Sequence, residues 1–208
     1  MSARRPGGRT RELIVVEAAR LFALKGYEGA SISDIALATG VSKPALYHHF
    51  ADKDEIYTDI VVSVLAAMVA HARQSTAGIE DPVEKLRCFI LAHAVYFEQH
   101  RYAFIAAQLG FRGLRSADGR DVAVEHRDAY EAILRDILKE ADRAGALMVP
   151  DVATAGRLIL SALNWMARWY QADGSQTASQ IATDYANLLL NGMLPRSSPV
   201  RRSQVARR

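Results

Sequence analysis

Ser42, Lys43, Pro44, Ala45, Tyr47 and His48 place a hydroxyl, an ammonium, a phenol and an imidazole close together in the chain. These groups hydrogen-bond and neutralise phosphate, but they contain no nucleophile with a base and an orienting third group. Ser42 is a strong helix N-cap, and Pro44 is tolerated because it lies in the first turn, where no backbone donor is lost. On that helix Lys43 and Pro44 lie one turn before Tyr47 and His48, on the side a DNA major groove would meet. Leu46 and Phe50, four apart, face the other way and dock the helix on its neighbours.

Other reactive side chains form no catalytic or metal-binding set. His93 and His100 flank Phe97 on one helical face beside Glu98, but no four-ligand spacing follows, so no metal or other cofactor is expected. Cys88 is the single cysteine, which excludes an internal disulfide framework and fits a reducing compartment. There is no glycine-rich phosphate loop, nucleophile elbow or HExxH. An enzyme is therefore not expected.

The elements that must position the Ser42–His48 group are equally legible. Ser31 and Asp34 have capping-box spacing, Ile35 and Ala38 give a small apolar face, and Gly40 stops that helix. Asp52 and Glu55 repeat the box for the next helix. Two short helices joined by a glycine-containing turn form a helix-turn-helix signature.

The stretch GVSKPALYHHFADKDEI resembles the recognition half of the TetR family of transcriptional repressors. That family carries a G-V-S-x-x-x-L-Y-x-H-F core followed by a lysine, matched here at Gly40, Val41, Ser42, Leu46, Tyr47, His49, Phe50 and Lys53. The resemblance implies an all-α, nine-helix fold with a helix-turn-helix DNA-binding domain over 10–55 and a ligand-binding and dimerisation domain over 56–194. It also implies a homodimer, joined through the last two helices, on a palindromic double-stranded operator. Tyr47 and Lys53 are then expected at phosphates, and Lys43, Pro44 and His48 nearest base edges. Arg9, Ser31, Ser33, Ser42 and Ala45 complete the expected DNA-contacting set. The rival, a helical scaffold that kept the module without DNA function, would have lost Ser42, Lys43, Tyr47 and Lys53.

Beyond the module the pattern is helical throughout. The expected helices run near 11–25, 54–73, 81–100, 102–114 (broken near Gly110 and Gly113), 120–144, 151–170 and 177–190, with the two short ones between the first pair. In the eighth, Leu158 to Tyr170 spread apolar side chains over roughly 220°, wider than one neighbour covers, so a second subunit is the economical partner. Its remaining sector carries Arg157, Ser161, Asn164 and Arg168, either a solvated edge or a cationic strip on a ligand cavity.

The segment ARWYQADGSQTASQIATDYANLLLNGM is similar to the end of a TetR subgroup that includes repressors of steroid and fatty-acid catabolism, matching at Arg168, Trp169, Tyr170, Gly174 and Gly192. Ala172 and Asp173 stand where Pro-Gly is more usual. This resemblance implies a bulky apolar effector with anionic phosphates, such as an acyl-CoA thioester. Arg168 is its first expected contact, and Phe97, Phe104, Trp165 and Trp169 are candidate walls. The alternative is a regulator of an efflux or detoxification gene that answers to a hydrophobic or aromatic ligand.

Charge is concentrated at the ends. The chain's net charge is +3, yet nine of its 26 basic residues lie in 1–11 and 195–208, which hold no acid. The intervening stretch carries 17 basic against 23 acidic groups. Segments 1–9 and 195–208 therefore read as disordered basic arms, the first well placed for phosphates or a minor groove. No signal-peptide core and no apolar run of membrane-spanning length is evident, so a cytoplasmic protein with no membrane partner is expected.

Overall fold

The computed structural model describes residues 6–109, 114 and 117–191. Among them are nine α-helices and no strand: α1 (Pro6–Gly29), α2 (Ile32–Thr39), α3 (Lys43–His49), α4 (Lys53–Thr76), α5 (Pro82–Gln99), α6 (Arg101–Gln108), α7 (Ala117–Arg143), α8 (Val152–Trp169) and α9 (Ala178–Asn191). The expected all-α fold with its N-terminal helix-turn-helix is present.

Local hydrogen bonding sets most of the boundaries. At α2, Ser31 Oγ accepts from the Asp34 N–H at 3.1 Å while the Ser31 N–H donates to Asp34 Oδ2 at 2.9 Å, closing the expected box. Gly40 ends α2 with φ 68°, a left-handed conformation that a Cβ would strain. The second expected box is altered: Asp52 Oδ1 accepts from Glu55 N–H at 2.8 Å, but the Glu55 carboxylate takes the Ala51 N–H instead, at 2.6 Å. Asp81, Asp151 and Thr177 cap α5, α8 and α9.

Two expectations need correction. Helix α1 begins at Pro6 rather than near Arg11, because proline's fixed φ suits a first helical turn, so residues 6–9 are helical rather than part of a disordered arm. Residues 1–5 and the basic 195–208 segment lie outside the described residues. The helix pauses where expected, at Gly26, with φ 75° and ψ 166°. The second correction concerns α4, which is long and apolar enough, at a mean hydropathy of 1.4, to cross a membrane by length and composition. Here it is a core helix: Ile56, Tyr57, Ile60, Val61, Val64, Met68, Val69 and Ala72 are buried, and it packs on α1, α5, α6 and α7.

Helices α1–α3 form the N-terminal module, and α4 runs from it into the body without an intervening linker. Helix α6 lies across the junction, touching α1, α4, α5 and α8. The body core holds an aromatic cluster: Phe97 meets Phe104 edge-on at 5.2 Å and Tyr170 at 5.4 Å.

Candidate DNA-binding face and effector cavity

Helix α3 is held from one side only. Ser42 Oγ accepts from the Ala45 N–H at 3.3 Å, fixing the first turn, and Leu46 and Phe50 are buried at 0% and 1% exposure. Opposite them Lys43, Pro44, Ala45, Tyr47 and His48 are all exposed, together with Ser42 at the helix start. Ser31 and Ser33 stand exposed at the start of α2, and Arg9 is exposed on the first turns of α1. Nine of the ten residues expected at DNA are thus exposed to solvent.

Lys53 is the exception. Its Nζ donates to the carbonyls of Tyr27 and Ala30, at 3.0 and 3.1 Å, and sits 4.2 Å from the Tyr27 ring centroid. The Tyr27 hydroxyl in turn bonds the Asp54 carboxylate. The lysine expected at a phosphate is therefore half-buried and ties the end of α1 to the start of α4. Two carbonyls released where Gly26 interrupts α1 need donors, and Lys53 supplies them. Nearby, Arg11 bonds Asp59 at 2.8 Å with its guanidinium 4.8 Å from the Phe50 ring centroid.

Two cavities are formed among the described residues. The first, about 530 Å³, lies between α4, α6, α7 and α8. Val64, Leu65, Met68, Phe104, Leu134 and Leu160 give it apolar walls, and Tyr130 adds a phenol. Arg127, Arg135 and Arg157, which are exposed, bring cations to its border alongside Glu131. The second, about 700 Å³, is bounded by α1 (Ala23, Leu24), α6 and α8, with Trp165 and Arg168 on its wall. Gln108, Ser161 and Asn164 border both, and a 2.7 Å hydrogen bond from Gln108 Nε2 to Asn164 Oδ1 stands between them.

The expected ligand residues are divided by this arrangement. Phe104 lines the first cavity, and Trp165 and Arg168 line the second, with the Arg168 guanidinium 5.7 Å from the Trp165 ring. Phe97 lines neither, because its 1% exposure is spent on the aromatic cluster, and Trp169 faces outward at 44% exposure. The polar strip on α8 is split as well: Arg157 belongs to the first cavity and Arg168 to the second. Sequence reasoning missed Arg127, Tyr130 and Arg135. Their signal was present, since residues 127, 130, 131, 134 and 135 follow a helical stripe, but a stripe does not distinguish a cavity wall from ordinary core. Among the described residues no group of three or more His, Cys, Asp or Glu side chains could hold a metal.

With this geometry in place, the comparisons with known proteins are specific. A family model described as "Bacterial regulatory proteins, tetR family" matches residues 14–60, and one described as "Tetracyclin repressor-like, C-terminal domain" matches residues 80–193. The transcriptional repressor KstR2 of Mycobacterium tuberculosis is 26% identical over 177 residues, covering 85% of this chain and 88% of that protein. The transcriptional activator FasR of Mycolicibacterium smegmatis is 30% identical over 167 residues, covering 78% and 75%. The crystal structure of PfmR, a TetR family regulator from Thermus thermophilus, matches with a TM-score of 0.83 at 42% identity, covering 88% of this chain and 99% of that one. A C-terminal family model spanning more than half the chain, a matching N-terminal model and that structural likeness agree: the chain belongs to the TetR family of helix-turn-helix transcriptional regulators.

Proposed function

We propose that the protein is a homodimeric repressor whose paired α3 helices read a palindromic operator and whose grip is released by a small-molecule effector bound in the body. The observation that carries this reading is the outward face of α3, where Lys43, Pro44, Ala45, Tyr47 and His48 are exposed while Leu46 and Phe50 anchor the opposite side. Two such helices must stand about one DNA turn apart to enter successive major grooves. A symmetric dimer provides that spacing, and the uncovered apolar side chains of α8 and α9 provide the contact: Leu158, Trp165, Trp169, Leu188 and Leu189 are 39–62% exposed.

The effector class we infer is an acyl-CoA thioester. Apolar walls suit an acyl chain, and Arg127, Arg135 and Arg157 at the border, with Arg168 at the second cavity, suit phosphates. KstR2, whose solved structure describes a ketosteroid transcriptional regulator, is a relative consistent with a lipid-like effector. Release follows if the effector binds more tightly to a form in which α6 has shifted, because α6 touches both the cavity walls and α1.

Fluorescence anisotropy on a duplex carrying the DNA upstream of the protein's own gene tests the reading. Lys43→Ala and Tyr47→Ala should each weaken binding about tenfold or more at fixed salt while the dimer persists. Unchanged affinity in both variants rejects the α3 assignment. Separately, an acyl-CoA panel should raise the melting temperature and release DNA, with both effects reduced in Arg157→Ala and Arg168→Ala. If no thioester in the panel shifts melting or DNA binding, the effector class is wrong.

A further inference from the structure

His93 is the single polar or charged residue in the buried core of the described chain, at 2% exposure. Its Nδ1 lies 3.0 Å from the Tyr130 hydroxyl, while its Nε2 is buried without a hydrogen-bond partner. The imidazole meets the Phe104 ring edge-on at 5.4 Å and lies 6.0 Å from the Tyr130 ring, so it stands directly behind two residues that line the first cavity. Burial holds its pKa down to about 3, so the ring is neutral at any ordinary pH. Burial likewise pushes the Tyr130 phenol well above its usual range, so it stays protonated.

A neutral imidazole and a phenol carry two polar hydrogens between them, and the bond joining them uses one. If Tyr130 donates to Nδ1, the surplus hydrogen is on Nε2; if Nδ1 donates to the phenol oxygen, it is on the hydroxyl. Only the second arrangement presents the spare donor to the cavity, because Tyr130 lines it and His93 does not, and a donor left unused in an apolar surrounding is costly. The complement of a spare neutral donor is an uncharged acceptor. A carboxylate would have to lose its hydration there without a cation beside it, since the arginines lie at the cavity border.

We propose that the His93–Tyr130 pair is the specificity-determining element of the effector cavity, donating one hydrogen bond to an uncharged carbonyl oxygen of the ligand, a thioester or a ketone. The cavity thereby distinguishes a thioester or ketone from the corresponding free acid. This rests on the reading that the first cavity takes the effector, and it narrows the chemistry of what enters.

The test uses matched ligands on the full-length protein. Octanoyl-CoA and S-octyl-CoA, a thioether lacking the carbonyl, are titrated by calorimetry, and ¹⁵N shifts of the His93 side chain are followed with 2-octanone and with octanoate. Wild type should prefer octanoyl-CoA over S-octyl-CoA about tenfold, the worth of one good buried hydrogen bond. Tyr130→Phe and His93→Leu should bring that ratio near one while leaving S-octyl-CoA affinity within about twofold, a split that a merely structural role would not produce. 2-Octanone should move the His93 nitrogen shifts and octanoate should not. A ratio near one in wild type, together with unmoved His93 shifts under 2-octanone, overturns the proposal. If neither thioester nor thioether binds but 2-octanone still moves His93, the pair keeps its role and only the acyl-CoA class fails.

Discussion

Lys43 and Lys53 each carry an ammonium at the start of a helix, yet the fold uses them differently. Lys43 is exposed on the outward side of α3, whereas Lys53 is engaged by two backbone carbonyls. Lys53→Ala should therefore lower stability by about 1–3 kcal/mol, read as a fall in melting temperature, because it strands two acceptors. Lys43→Ala should leave melting unchanged and affect only operator affinity. Gly40→Ala meets no atoms within 4 Å, so its cost is conformational: about 1–2 kcal/mol for a left-handed backbone, measurable by denaturant titration. Asp34 supplies a pH prediction. Hydrogen bonds from Ser31, assisted by Lys25, lower its pKa to about 2. Because the folded value lies below the unfolded one, its contribution is complete above about pH 4 and is lost as pH falls toward 2. Asp34→Asn should lower stability at neutral pH, where that contribution is complete, and flatten the profile between about pH 4 and 2, so that the variant approaches wild type only at the acid end, as read by denaturant titration across pH.

At the scale of elements, α8 and α9 divide their apolar residues between two jobs. Ile159, Leu163 and Met166 face the core, while Leu158, Trp165, Leu188 and Leu189 remain uncovered. Leu158→Glu combined with Leu188→Glu should leave a folded monomer by light scattering and circular dichroism, with operator binding lost alongside dimerisation. A dimer of unchanged mass would show that another surface joins the subunits. The long apolar α4 illustrates a related point: composition suitable for a membrane is consumed here by contacts with four other helices.

For the whole molecule, the electrostatics of DNA attraction are distributed unevenly. Residues 1–60 hold eight basic and eight acidic groups, so the module has little field of its own. Since α1 already begins at Pro6, the informative truncation removes residues 1–5 alone and spares the helix. Loss of Arg4 and Arg5 should make the slope of log affinity against log salt shallower by up to about 2, at roughly 0.9 per neutralised phosphate. An unchanged slope would show that this segment takes no part.

The sequence by itself determined the caps, most helix boundaries and the exposed face of α3, because these depend on hydrogen bonds and side-chain spacing within about one helical turn. Ser31 with Asp34 and Ser42 with Ala45 are such pairs. It could not assign Lys53, whose acceptors lie 26 and 23 residues away, nor place Tyr130 opposite His93 across 37 residues. Nor could it tell Phe97, which fills the core, from Phe104, which walls a cavity, since both lie on apolar helical stripes. Only the tertiary structure decided those, because helical periodicity fixes which side of a helix is covered but not what covers it.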